Sequence, residues 1–476
     1  MATNSTPKKA SSGSRVESMF IKAQKNQKAL QDDYKNVPVV KDKIPVKKDA
    51  KHDTKSKAIP PAASSKPPCE AAVSKKPKPR AGNSISSEFE KKEYFDTKEV
   101  LEDKINTLAE WIKQSRYCIS FTGAGISTSC GIADFRSGLN TVLATGPGIW
   151  ERKAQGKHLP SQEKKVQTIL KAIPSPSHMA LVKLQQEGLV KFVVSQNTDG
   201  LHRRSGLDPS FLAELHGNTN MERCLKCGSR YMRDYRTRTA KKVHDHLTGR
   251  SCDNPKCGGP LVDSIINFKE DLPEDELENG FRHAKLADLC IVLGSSLRVY
   301  PAADIPGEMI ERGSRVVIVN LQKTPLNKKC SMEVHSTIDD LVLGVMKRLG
   351  LEVPSFKLKR CFAVDATTDF LTIQGLDPST KSPYSFLKSI SIKLPTLESD
   401  FQINKEPFFV KFPRHVSLSK EVPLPVSLTL TFQGHYGEPE LAISHTISSV
   451  GRTIFMLEFD VASAEWHVHK PEELSG

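Results

Sequence analysis

The chain has 476 residues, 38% hydrophobic and 26% charged, with 69 Lys and Arg against 55 Asp and Glu for a net charge of +14. At roughly 150 residues per domain this length excludes a single small module and predicts two or three domains with tails. No stretch approaches the ~18–20 continuous apolar residues that cross a bilayer, and the first residues (MATNSTPKKASSGSR) lack the apolar core of a secretory signal, so an intracellular protein without membrane partners is expected. There the ten cysteines read as metal ligands or buried thiols before disulfides.

Residues 1–90 hold 19 Lys and Arg against 9 Asp and Glu, so most of the excess charge sits at the start. Rich in Lys, Pro, Ser and Ala, this segment cannot bury enough apolar surface to offset its ordering entropy, and 1–95 is predicted as a disordered basic tail. The run SKKPKPR (74–80), with PVKK (45–48) before it, suits a nuclear import signal or an arm that neutralises the phosphates of DNA or a nucleosome. A solvated linker is the alternative.

From residue 98 to 115, Leu101, Ile105, Leu108 and Ile112 recur at helical spacing and predict the first helix of the folded region. A short apolar run, 117–121, then breaks into Thr122-Gly123-Ala124-Gly125-Ile126-Ser127-Thr128, the layout of strand, glycine turn and helix. Further apolar runs at 190–194, 289–293 and 316–319 alternate with helical patterns such as 179–187, and a last helix, 339–349, stops at Gly350. This order predicts an α/β domain with a parallel sheet covered on both faces. Beyond Pro354 the period changes to two, in Ile390, Ile392, Leu394 and in Val426, Leu428, Leu430, Phe432, with a similar run at 453–459. A separate β-rich region is expected, a sandwich being one form. His467 and His469 there read as an ordinary polar pair before a metal site.

Four groups of residues carry chemistry. A GAG turn after a strand lets the backbone approach a pyrophosphate and points a helix N-terminus at it, although such turns also serve to pack helix on sheet. Asp134-Phe135-Arg136 places a ring and a guanidinium close by in sequence. Gln196-Asn197-Thr198-Asp199 follows a strand, where parallel sheets bind ligands, and His216, in Glu214-Leu215-His216-Gly217-Asn218, is of the type that serves as base near neutral pH. Cys224-x2-Cys227, 24 intervening residues and Cys252-x4-Cys257 match a closed four-thiolate zinc site of structural type. Cys118, Cys130 and Cys290 read as core thiols.

GAGIST, DFR, QNTDGLH, ELHGN, the cysteine pairs, GSSL (294–297) and VNLQ (319–322) occur in one order, and together they resemble the sirtuin family of NAD-dependent protein deacylases over about residues 98–353. Trp150-Glu151, NLQKTP (320–325) and LGLEVP (349–354) are most similar to its nuclear, chromatin-directed class IV branch. The resemblance implies a Rossmann-like catalytic domain over 96–353 with an inserted zinc module at about 220–262, followed by a β-rich domain, 355–476, of unassigned role. It implies that NAD lies along Gly123, Ala124, Gly125, Ser127 and Thr128, with Phe135 and Arg136 near the nicotinamide ribose and Asp134, Trp150 and Gln196 also binding the cofactor. Gly294, Ser295, Ser296, Asn320, Gln322 and Ile338 would lie toward adenosine. His216 would be the general base on a ribose hydroxyl, Asn197 and Asp199 would position ribose and nicotinamide, and Ile265, Ile266 and Phe268 would line the acyl-lysine channel.

The implied activity is deacetylation of histones or other chromatin proteins in the nucleus, forming nicotinamide and O-acetyl-ADP-ribose. Mono-ADP-ribosyl transfer, and a chromatin-binding scaffold with weak activity, are the alternatives. The chain departs from the family at Ala133, where Pro is common, and at Asn267 and Lys269, where acidic residues are common. About nine additional residues, 137–145, precede Gly146 and are expected either to form a lid over the cofactor, with Leu139, Val142 and Leu143 toward it, or to be a surface insertion.

Overall fold

The computed structural model describes residues 88–156, 161–395, 399–412, 423–469 and 471–475. The import-signal and nucleic-acid expectations for 45–48 and 74–80 lie outside these residues. The first described segment is not a continuation of the tail, because the helix Glu88–Lys91 and a bridge from Glu93 to Gln322 tie it to the fold. The predicted boundary after residue 95 therefore falls late. Polar side chains hold this segment, through Arg298–Glu90, Lys91–Glu151 and Lys104–Asp96 ion pairs, and hydrophobic periodicity does not register such contacts.

Strands β1 (Cys118–Thr122), β2 (Phe192–Ser195) and β3 (Leu212–Glu214) join the later β8, β9 and β10 in one parallel sheet, while four strands between them form the module that carries the cysteines. These four are β4 (Met221–Cys224), β5 (Arg230–Arg233), β6 (Leu247–Ser251) and β7 (Pro260–Asp263); then come β8 (Leu289–Leu293), β9 (Arg315–Val319) and β10 (Met332–Val334). The sheet order is β10-β9-β8-β1-β2-β3. Its central strands β1 and β8 are buried at every residue because both faces are covered. Cys118, Val193, Leu289, Ile291 and Val317 point into a core with the helices Lys98–Gln114, Pro176–Gln186 and Ile338–Leu349. On the other face Phe192 stacks on His283 at 3.7 Å, within the helix Glu274–Leu286. No described helix is long and apolar enough to cross a membrane.

The C-terminal strands are β11 (Lys357–Ala366), β12 (Phe370–Leu376), β13 (Tyr384–Ser385), β14 (Leu387–Leu394), β15 (Ser399–Ile403), β16 (Phe408–Lys411), β17 (Leu424–Phe432), β18 (Leu441–Ile447), β19 (Gly451–Asp460), β20 (Glu465–Val468) and β21 (Glu472–Ser475). One sheet runs β16-β12-β11-β19-β20, with β21 also on β19, and the other runs β15-β14-β17-β18. In β17 alternate residues from Leu424 to Phe432 are buried, and they meet Phe362, Val364 and Leu457 of the facing sheet in one core. The period-two pattern thus builds a sandwich.

Sequence periodicity does not reveal how the sandwich joins the cysteine module. The two-residue strand β13 pairs in parallel with β5, Tyr384 opposite Met232 and Ser385 opposite Arg233, and completes a five-stranded sheet. Arg360, 2% exposed, donates to Asp234 at 2.7 Å and to the Tyr384 hydroxyl at 2.9 Å, a buried charge held by partners from both sides of the junction.

Candidate active site

The loops at the carboxyl ends of the parallel strands enclose a cavity of about 550 Å3. Gly123–Gly125, Ser127 and Thr128 follow β1, Gln196–Asp199 follows β2, His216 follows β3, Gly294–Ser296 follows β8, and Asn320 and Gln322 follow β9, all lining it. This is where open α/β sheets bind ligands, because each βα turn brings polar groups to one edge.

After β1 the chain forms a seven-residue 3₁₀ helix, Ala124–Cys130, rather than the predicted α-helix. The amides of Gly123 and Gly125 donate to the Leu293 and Gly294 carbonyls, both at 2.9 Å, so neither is available to a pyrophosphate. Gly125 lies so close to the β8 turn that an added Cβ would stand 2.6 Å from Gly294 Cα. Gly123 and Gly125 of the GAG turn therefore pack two βα loops together.

Asn197 Nδ2 donates to the Gly123 carbonyl at 3.1 Å and to Ser127 Oγ at 3.2 Å, and Ser127 Oγ donates to Asp199 Oδ2 at 2.8 Å. Gln196 Nε2 donates to Ser295 Oγ at 2.6 Å. The loops after β1, β2 and β8 are thereby tied to one another and preorganised.

His216 is fixed from two directions. Its Nδ1 lies 2.7 Å from the Gln196 carbonyl oxygen, which only accepts, so Nδ1 carries the proton and Nε2 does not. Its carbonyl accepts from the Ile266 amide at 3.1 Å. That approach requires Gly217, at φ +77°, where any Cβ would overlap the Ser264 carbonyl. Burial pulls the His216 pKa below its usual 6.5, keeping the ring neutral near pH 7.

Asp134 Oδ1 and Oδ2 accept from the Ser137 amide at 3.2 Å and hydroxyl at 2.7 Å, closing the turn that leads into the insertion. Burial raises the pKa of its carboxyl. Phe135, Arg136 and Phe268 line the cavity, whereas Trp150 does not. Trp150 lies behind them as a platform, 5.9 Å from Phe135, 5.6 Å from Phe268 and 4.4 Å from the Arg136 guanidinium. Burial, with Arg298 nearby, lowers the Arg136 pKa to about 10. Ile266 lines both this cavity and a neighbouring one of about 420 Å3, whereas Ile265 lines only the neighbouring one. Ile338 lines the cavity, and Gln322 Nε2 donates to the Lys91 carbonyl at 3.2 Å.

In the insertion Val142, Leu143 and Ala144 line the cavity, while Leu139 is half exposed and does not. Glu93 holds this loop, accepting from Thr141 Oγ1 at 2.6 Å and the Val142 amide at 3.0 Å. Glu93, Ile169, Leu272 and Tyr300 also line the cavity and carry no sequence pattern that would have marked them.

The sulfurs of Cys224, Cys227, Cys252 and Cys257 all lie within 4.8 Å of one another, the only metal-competent cluster among the described residues. Cys224–Cys257 and Cys227–Cys252 are each 3.6 Å apart, near the ~3.8 Å edge of a tetrahedron with 2.3 Å zinc–sulfur bonds. Amides of Lys226 and Cys227 point at Cys224 Sγ, at 3.3 and 3.5 Å, as donors to the sulfur. His467 and His469 pack edge to face at 4.8 Å as a polar pair. Cys118 and Cys290 are buried in β1 and β8, and Cys130 is half-buried at the end of the 3₁₀ helix.

A cleft of this kind, with an oriented neutral histidine and a four-thiolate module inserted beside it, defines a class for which sequence comparison gives a family. The Sir2 family model matches residues 123–301. The NAD-dependent protein deacetylase SRT1 of Arabidopsis thaliana is 39% identical over 332 residues, covering 67% of each chain. SRT1 of Oryza sativa subsp. indica is 36% identical, covering 72% of this chain and 70% of its own. The NAD-dependent protein deacetylase Sirt6 of Drosophila melanogaster is 39% identical over 56% of this chain and 81% of its own. The chain belongs to the Sir2 family.

Proposed function

We propose that the protein is an NAD-dependent protein-lysine deacetylase acting on histones or other chromatin proteins in the nucleus. The observation that carries the reading is the Nδ1 bond from His216 to Gln196, which leaves Nε2 as a base on a ring that lines the same cavity as Asn197 and Asp199. When bound, NAD supplies an electrophilic ribose carbon, a leaving nicotinamide and hydroxyls that accept the acyl group. The cavity volume lies within the range of about 300–1,000 Å3 common to ligand sites.

Ser127, Arg136, Asn197 and Asp199 would hold the nicotinamide half, with Ser295, Asn320 and Ile338 toward adenosine. His216 Nε2 takes a proton from a ribose hydroxyl, and the Gln196 carbonyl stabilises the resulting imidazolium through Nδ1–H. Phe268 and Ile266 receive the acyl-lysine stem and keep water from it. Zinc in a shell of four thiolates has no open position and acts as a structural brace. The basic N-terminal residues support a chromatin substrate, since counterion release would draw them to nucleic acid.

Acetylated histone-tail peptides and acetylated peptides of unrelated sequence, incubated with and without NAD and weighed by mass spectrometry, test the reading. Loss of the acetyl group only with NAD, faster on nucleosomes than on free unrelated peptides, is expected. Transfer of ADP-ribose to the protein substrate would replace it with the transferase reading.

A further inference from the structure

We propose that Tyr436, carried by the C-terminal sandwich, positions the loop 196–199 through Arg204, which makes the sandwich a working part of the catalytic unit. The inference rests on the deacetylase reading of that cleft. Tyr436 lies in the turn between β17 and β18, where Gly434 and Gly437 take φ of +76° and +75° and its own amide is held by Glu438 Oε2 at 2.9 Å. Beside it His435 Nε2 donates to the Asp234 carbonyl at 2.6 Å, anchoring the turn on the cysteine module.

The Tyr436 hydroxyl donates to the Ala172 carbonyl at 2.9 Å and accepts from the Arg204 guanidinium at 2.8 Å. The same guanidinium donates to the carbonyls of Asp199 at 2.7 Å, Ile169 at 2.8 Å and Leu170 at 3.0 Å. Asp199 and Ile169 line the cavity. Arg204 thus joins the segment after β2 to the end of the helix Gln162–Lys171, and Tyr436 joins both to the sandwich.

A guanidinium is a rigid planar fork, so fixing one nitrogen fixes the direction of the bonds made by the others. Without the hydroxyl, Arg204 can rotate about its stem, and the Asp199 carbonyl moves with it. Asp199 accepts from Ser127, which in turn accepts from Asn197, so the displacement reaches the groups assigned to the nicotinamide ribose. The sandwich can transmit this constraint because β13 and the buried Arg360–Asp234 pair hold it against the module.

The test is Tyr436→Phe in the full-length chain, which keeps the ring packed 5.8 Å from Phe356 and removes only the hydroxyl. Rates are measured at a temperature where wild type and variant are both fully folded, with zinc content and melting midpoint recorded. The expected result is a fall in kcat of about tenfold with the Michaelis constant for peptide within twofold, as misplacement of a reacting group produces. Added to Arg204→Lys, the substitution should cost little more. A kcat within twofold of wild type, with or without a lower melting midpoint, overturns the proposal and leaves Tyr436 a structural contact. Full additivity of the two substitutions overturns it as well. An inactive wild-type protein would instead defeat the deacetylase reading itself.

Discussion

His216 donates its Nδ1 proton to the Gln196 carbonyl oxygen across 2.7 Å, and this bond decides which nitrogen can act as a base. His216→Tyr should lower turnover at least about a hundredfold, the usual scale of a general base, while zinc content and melting midpoint change little. Retention of more than a few percent of wild-type turnover would remove His216 from that role.

The pH profile follows from the same residue. Because burial lowers the His216 pKa, its neutral, base-competent form persists below pH 6.5 and is lost only as pH falls through the lowered value. The acid limb of kcat/KM for peptide should therefore lie below 6.5, measured over pH 5–8 at subsaturating peptide and saturating NAD. An acid limb above pH 7 would contradict this.

Stability should fall with acid for a related reason. Burial pulls the pKa of His202 and of His283 to about 4 and that of His178 well below 6.5. Below about 6.5 the unfolded chain binds protons that the folded one refuses, so the stability present at neutral pH is lost as pH drops. The slope is about 1.4 kcal/mol per pH unit for each histidine that stays neutral, read by denaturant unfolding between pH 7 and 5.

Cys224→Ser or Cys252→Ser should release about one zinc per chain and lower the melting midpoint by about 10 °C or more, because metal binding is coupled to folding of the module. The sandwich should be disturbed too, since β13 continues the module's sheet. Metal analysis with differential scanning calorimetry reads both effects, and a metal-free variant of wild-type stability would show that the metal does not brace the fold.

Glu93→Ala should raise the Michaelis constant for NAD severalfold, about 1 kcal/mol, and increase NAD hydrolysis uncoupled from deacetylation. It removes the carboxylate that holds Thr141 and Val142 beside the cavity. Unchanged NAD kinetics and coupling would make residues 137–145 a surface elaboration.

The parallel sheet was legible because β1, β2, β8 and β9 are short, mainly apolar runs buried on both faces, and the sandwich because β17 alternates strictly. The cysteine pairs and His216 were legible because their spacing and neighbours are local. Glu93, Tyr436 and β13 were not. They act on residues 48, 232 and 152 positions away, and two residues of strand have no period to detect. The motif places Trp150 near Phe135 and Arg136 in sequence but gives no direction, and in the structure it stands behind them.

The central claim is that lysine deacetylation and NAD cleavage are one reaction in this cleft. It is tested most directly by counting nicotinamide released and lysine deacetylated in the same reaction, with the mass of the ADP-ribose product. The account predicts one nicotinamide per lysine and an ADP-ribose that carries the acetyl group. Free acetate released without nicotinamide, or ADP-ribose attached to the protein substrate, would contradict it.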